Sequence, residues 1–140
     1  MTTLRCIAYT STAIKLMTEA ELEALLVSAR DFNMMHGVTG VLLYCDGSYM
    51  QYFEGFDHDV SEVYKRITNS RQHKGIIELL DQSIDMRSFP DWSMGLCRPV
   101  KSELINLLSI SWTESRKGEN NSPGMQLLEG FWSRCNQFGN

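Results

Sequence analysis

Apolar and polar positions recur with a readable period through most of the chain. Residues 4–9 (LRCIAY) form a short apolar run flanked by Thr and Ser, which predicts a first strand. Thr18 and Glu21 then stand at the spacing of a capping box. In that device the Thr hydroxyl accepts from a free backbone N–H while the Glu carboxylate reaches back. Leu22, Leu25, Leu26, Ala29, Phe32 and Asn33 follow at helical spacing. Gly37 is placed to end that helix, because glycine takes a left-handed backbone without steric cost. VTGVLLYC and SYMQYFEG flank Asp46-Gly47, a strong hairpin signal. A second helix is expected from about Val60 to Thr68, with Val60, Val63, Tyr64 and Ile67 as its apolar stripe. Residues 76–84 (IIELLDQSI) read as a fourth strand and 92–97 (WSMGLC) as a fifth, with Pro90 marking the boundary between them.

The texture changes at Lys101. ELINLLSISW reads as a helix, residues 116–124 as a polar loop, and residues 125–135 as a last short helix weakened by Gly130. The order strand, helix, hairpin, helix, strand, strand predicts an α+β fold of ferredoxin-like topology. The expectation is a five-stranded sheet with two helices on one face and a C-terminal helical tail on the other. Residues 1–100 would form the sheet-and-helix domain, and residues 101–140 a helical extension packing on the sheet.

Composition narrows the function classes. At 140 residues the chain suits one core. Apolar residues make up 43% and charged residues 21%, an ordinary globular balance. A net charge of -4 argues against nucleic acid, whose phosphates need a basic footprint. No apolar run is long enough for a bilayer and no signal peptide is visible, so no membrane contact and a cytoplasmic location are expected. Cys6, Cys45, Cys97 and Cys135 form no close pair in sequence and read as reduced, mostly structural cysteines. His36, His58 and His73 show no metal-site spacing.

Strand alternation sorts the candidate chemistry onto faces. Ile7 and Tyr9 share one face, opposite Cys6 and Ala8; Tyr49, Gln51 and Phe53 share another, opposite Met50 and Tyr52. A Gln51 that faces the helices is a polar amide among aromatics, and leaving it unpaired costs about 1–3 kcal/mol. Pattern alone favours an edge glutamine facing water. Asn33 lies on the inward stripe of its helix, where it is either a ligand for a bound heterocycle or a cap near Gly37. Tyr9 taken alone is either a core tyrosine or a redox group.

The combination carries more than its parts. IAYTS with Tyr9, RDFNMMHGVTGVLLYCDGSYMQYFEG with Asn33 and Gln51, YKRI with Arg66, then His73, and FPDWSM with Trp92 and Met94 stand in one order. In these elements the chain resembles the BLUF family of flavin-binding blue-light sensors, from about Leu4 to Met94. The resemblance implies a flavin ring between the first two helices, as FAD or possibly FMN, held by Asn33, Gln51, Arg66, Tyr9, Leu26, Ile67 and His73. It implies that Tyr9 reduces the light-excited flavin in a proton-coupled step. Gln51 would relay the proton and return in a rearranged rotamer or tautomer. Trp92 and Met94, read as sharing one face of the fifth strand, would carry the signal towards the tail.

Phe32, Ser70 and Gln72 depart from the family's common residues, which touches the tuning of the flavin and its phosphate contacts. No GxGxxG fingerprint is present, so a Rossmann mode of FAD binding is not indicated. The output is expected to be a downstream protein partner or self-association into a homo-oligomer, not catalysis. Two other classes remain open on residues alone: a small ferredoxin-like enzyme, against which no nucleophile–base pair is found, and an interaction module with an empty groove.

Overall fold

A computed structural model describes residues 3–114 and 119–137 of the chain. The elements run β1 (Leu4–Ala13), α1 (Glu19–Met35), β2 (Thr39–Cys45), β3 (Ser48–Phe56) and α2 (Asp57–Thr68). They continue with β4 (His73–Ile84), β5 (Gly95–Cys97), α3 (Lys101–Ser109) and α4 (Pro123–Gln137). The five strands form one sheet in the order β4-β1-β3-β2-β5. All pairs are antiparallel except β2 with β5. This is the ferredoxin-like arrangement read from the sequence, with β5 added beside β2.

Local signals fixed the first half well. The Thr18 hydroxyl accepts from the Glu21 N–H, and the Glu21 carboxylate accepts from the Thr18 N–H. Asp46 (φ 46°) and Gly47 (φ 84°) both take the positive φ of a tight hairpin. Gly37 (φ 63°) lies just past the end of α1.

Several boundaries differ. β1 extends through Thr10, Ser11 and Thr12, because it is internal and its backbone pairs with β3 on one side and β4 on the other. α2 begins at Asp57, three residues before the expected start; Asp57 and Asp59 sit in its first turn, where the helix dipole favours negative charge. β4 begins at His73, ahead of the expected Ile76. β5 is only Gly95–Cys97, so Trp92 and Met94 precede the strand. α4 takes in Pro123 and Gly124, which were expected in a loop. Of the rest of that expected loop, residues 119–122 form no helix or strand and residues 116–118 lie outside the described residues.

The sheet separates two cores. Ile7, Tyr9, Tyr49 and Phe53 pack with Leu22 and Leu26 of α1 and Val60 and Val63 of α2. On the other face Cys6, Ala8, Met50 and Tyr52 pack with Leu104 and Leu107 of α3 and with Leu128 and Trp132 of α4. Both strand alternations therefore fall as expected. Among the described residues no helix is long and apolar enough to cross a membrane. The cysteine reading needs correction for one pair: Cys97 of β5 and Cys135 of α4 form a disulfide, while Cys6 and Cys45 are free. The two lie 38 positions apart in sequence, and the packing of α4 on the sheet brings their Cα atoms to 6.4 Å.

Candidate functional site

A cavity of about 540 Å³ opens between α1 and α2 over the sheet. That is the size of an ordinary small-molecule site. Its floor is made by β1 and β3. Tyr9 and Gln51 stand directly opposite one another on these antiparallel strands, and opposed side chains on one face are close enough to touch. The Tyr9 hydroxyl donates a short hydrogen bond to Gln51 Oε1. Gln51 Nε2 in turn donates to Met94 Sδ at 3.4 Å. Register irregularities between β1 and β4 flank Tyr9, a device that re-aims side chains near sites.

Tyr9, Gln51, Asn33, Arg66, Ile67 and His73 all line this cavity. Leu26 does not; it is buried in the core beneath α1, and Leu25 lines the cavity instead. A helix one residue out of phase exchanges these two leucines, and the periodicity could not separate them. Asn33 is buried, and its Nδ2 donates to the Ser93 carbonyl at 3.0 Å. Its side chain thus ties α1 to the segment before β5, where a helix cap was the alternative. Arg66 is exposed at the rim; it donates to Ser28 Oγ at 2.6 Å and lies 4.8 Å from the Phe32 ring centroid.

His73 is fixed by two contacts, 2.7 Å to Ser11 Oγ and 2.9 Å to the Ile67 carbonyl. A carbonyl only accepts, so Nε2 carries the proton and Nδ1 accepts from Ser11. Burial pushes the Tyr9 phenol well above its ordinary pKa, with Tyr64 and Tyr49 adding to the effect, so Tyr9 holds its proton in the resting state.

Trp92 and Met94 do not share a face. Met94 belongs to the helix-side core, whereas Trp92 packs on the tail side, 5.4 Å from the Trp132 ring and nearly perpendicular to it. The reason is that residues 92–94 are held by single hydrogen bonds, one from β2 and two from α1. Gly40 N–H donates to the Trp92 carbonyl at 2.8 Å, Asn33 to that of Ser93, and Arg30 Nε to that of Met94 at 2.8 Å. The chain crosses from one face of the sheet to the other within three residues.

The cavity suits a flavin on the chemistry of its lining. Leu25, Ala29, Leu42, Val63 and Ile67 give apolar walls for a flat ring. Asn33 and Gln51 supply amides to the lining, and Asn33 Oδ1 takes no protein partner among the described residues. Arg66 places positive charge at the rim, where a phosphate would lie, while Lys15 is paired with Glu21 at 2.6 Å. Tyr49 was missed as a lining residue, although alternation places it on the Gln51 face. Its hydroxyl is a buried polar atom without a partner among the described residues.

Known proteins resemble this chain over the region that contains the cavity. The family model for sensors of blue-light using FAD, BLUF, matches residues 4–95. The photoactivated adenylate cyclase subunit beta of Euglena gracilis is 29% identical over 94 residues, which is 66% of this chain and 11% of that protein. The chain therefore spans about a tenth of the length of the curated relatives it matches. Among solved structures, the photo-activated state of BlsA matches with a TM-score of 0.69 and 28% identity, covering 94% of each chain. The dark state of the BLUF protein BlrB matches with a TM-score of 0.67 and 29% identity, covering 76% of this chain and 80% of that one. A match of the family model over two thirds of the chain, on the residues that build the cavity, means that the chain belongs to the BLUF family of flavin-using blue-light sensors.

Proposed function

We propose that this chain is a blue-light photoreceptor in which Tyr9 and Gln51 are the photochemical pair and a protein contact is the output. The observation that carries this reading is the buried Tyr9–Gln51 hydrogen bond on the floor of the cavity. When bound there, flavin supplies blue-light absorption and an acceptor for one electron. Tyr9 would give that electron, and its phenolic proton would pass along the existing hydrogen bond to Gln51 Oε1 while an Nε2 proton passes on to the electron acceptor. Electron and proton would return to Tyr9 once the amide has rearranged. An amide suits this role because its oxygen accepts while its nitrogen donates.

A rearranged Gln51 is the signal. In the resting arrangement its N–H meets the Met94 sulfur. Turning the amide over would set its oxygen against that sulfur, two acceptors face to face, so Met94 must move. Met94 is one residue before β5, and the same segment places Trp92 on Trp132 of α4. The route from cavity to tail is therefore Gln51, Met94, Trp92, Trp132. Residues 1–100 act as the flavin-binding unit and residues 101–140 as the output extension.

FAD is the flavin we propose, with FMN meeting the same ring contacts. Asn33, Arg66, Ile67 and His73 hold it. The tail delivers the signal to a partner protein or to a second copy of the chain. The test is to reconstitute the purified chain with FAD and record its spectrum in darkness and in blue light. A red shift that reverses in darkness supports the reading; a flavin-bound chain with a light-insensitive spectrum refutes it.

A further inference from the structure

We infer that Tyr49 is a cofactor-positioning residue whose hydroxyl hydrogen-bonds the ribityl chain of the flavin. This rests on the flavin reading above and adds a residue to it. Tyr49 is 4% exposed and lines the cavity, yet its hydroxyl has no hydrogen-bond partner among the described residues. Burial, with Tyr44 and Glu21 nearby, pushes its phenol up to about 12, so it is present as a donor.

The neighbouring polar groups are already committed. Tyr9 gives its proton to Gln51, and the Gln51 amide is used by Tyr9 and Met94. Both nitrogens of His73, whose ring lies 6.1 Å from that of Tyr49, are taken by Ser11 and Ile67. Tyr44, 5.0 Å away ring to ring, accepts from the Met17 N–H. A buried hydroxyl left unpaired is costly, and a ligand in the cavity would supply the missing partner.

Position decides which part of the ligand. Tyr49 lies two residues before Gln51 on β3, about 7 Å along the strand by the rise per residue. It is displaced towards the hairpin, where Met17, Lys15 and Glu21 line the mouth. The part lined by Gln51 and Asn33 takes the ring. The stretch between ring and mouth is where the ribityl chain runs, and its hydroxyl oxygens accept the Tyr49 proton.

The experiment compares the full chain with Tyr49→Phe, which keeps the ring and removes only the hydroxyl. Apoprotein is titrated with riboflavin and with lumiflavin, which has the same ring without the ribityl chain, and the melting temperature of each apoprotein is recorded. We expect riboflavin binding to weaken about three- to tenfold, the range set by one neutral hydrogen bond. Lumiflavin affinity should be equal in the two proteins. The Tyr49→Phe apoprotein should melt no lower than wild type, since an unpaired buried hydroxyl has been removed. Equal riboflavin affinity, an equal loss for lumiflavin, or a lower apoprotein melting temperature would each overturn the assignment. A wild-type chain that binds neither flavin would instead overturn the flavin reading, and the Tyr49 role with it.

Discussion

At the scale of single residues, the site depends on where polar groups are buried and what meets them. Asn33 holds the Ser93 carbonyl with one N–H and offers its oxygen to the cavity. We expect Asn33→Ala to weaken flavin binding about three- to tenfold, measured by titration of the apoprotein, because one or more neutral hydrogen bonds worth about 0.5–1.5 kcal/mol are lost. Unchanged affinity would make Asn33 a structural tie only. The faces of Tyr9, Gln51 and Asn33 were legible because strand and helix periods assign faces without any tertiary knowledge, whereas their roles were implied only by the resemblance to the family. The choice between Leu25 and Leu26, and the lining role of Tyr49, depended on the exact rotation of α1 and on which groups remain unpaired. Neither is encoded in a period.

At the scale of elements, the hairpin and the start of α1 were legible because their signals are local: Asp46-Gly47 in one case, Thr18 and Glu21 in the other. The start of β5 was not, because WSM alternates like a strand while its carbonyls are taken by Gly40, Asn33 and Arg30. In the proposed route, that crossing segment is the element on which signalling turns. Light should change amide hydrogen exchange in residues 92–112, and Met94→Ala should reduce that change while the flavin still shifts red. Equal exchange in dark and light across this stretch would send the signal elsewhere. Gly95 packs directly on the Trp132 ring, leaving no room for a Cβ, so β5 and α4 are in close contact there. The Cys97–Cys135 disulfide ties the same two elements, and its distant partners could not be paired from sequence. Cys135→Ser should lower unfolding stability by about 2–4 kcal/mol under non-reducing conditions, the usual worth of a cross-link. Denaturant midpoints identical for the two proteins would show that the bond does not form in solution.

At the scale of the whole molecule, one buried carboxyl links sheet, loop and tail. Glu54 accepts from Tyr52 Oη at 2.6 Å, from the Ser88 N–H at 3.0 Å and from the Phe89 N–H at 2.6 Å. Tyr52 Oη accepts from Asn120 Nδ2, which lies just before α4. Burial raises the Glu54 pKa, and these hydrogen bonds only partly offset it. A carboxyl whose folded pKa is raised binds its proton more tightly in the native state. Its contribution is therefore complete below the ordinary carboxylate range and lost as pH rises through the raised value. Comparing melting curves of wild type and Glu54→Gln over that interval should show a smaller fall with pH in the variant; parallel curves would remove Glu54 from the pH dependence. The fold and the family were readable from about two thirds of the chain, while the tail's attachment through Trp132, Asn120 and Cys135 emerged only in three dimensions. The photochemical role of the Tyr9–Gln51 pair is decided by one light-minus-dark absorption spectrum, taken for the flavin-loaded chain and for Gln51→Ala side by side. We expect a reversible red shift in the wild type and none in the variant, with flavin bound in both. A variant that shifts as the wild type does would contradict the role assigned to Gln51.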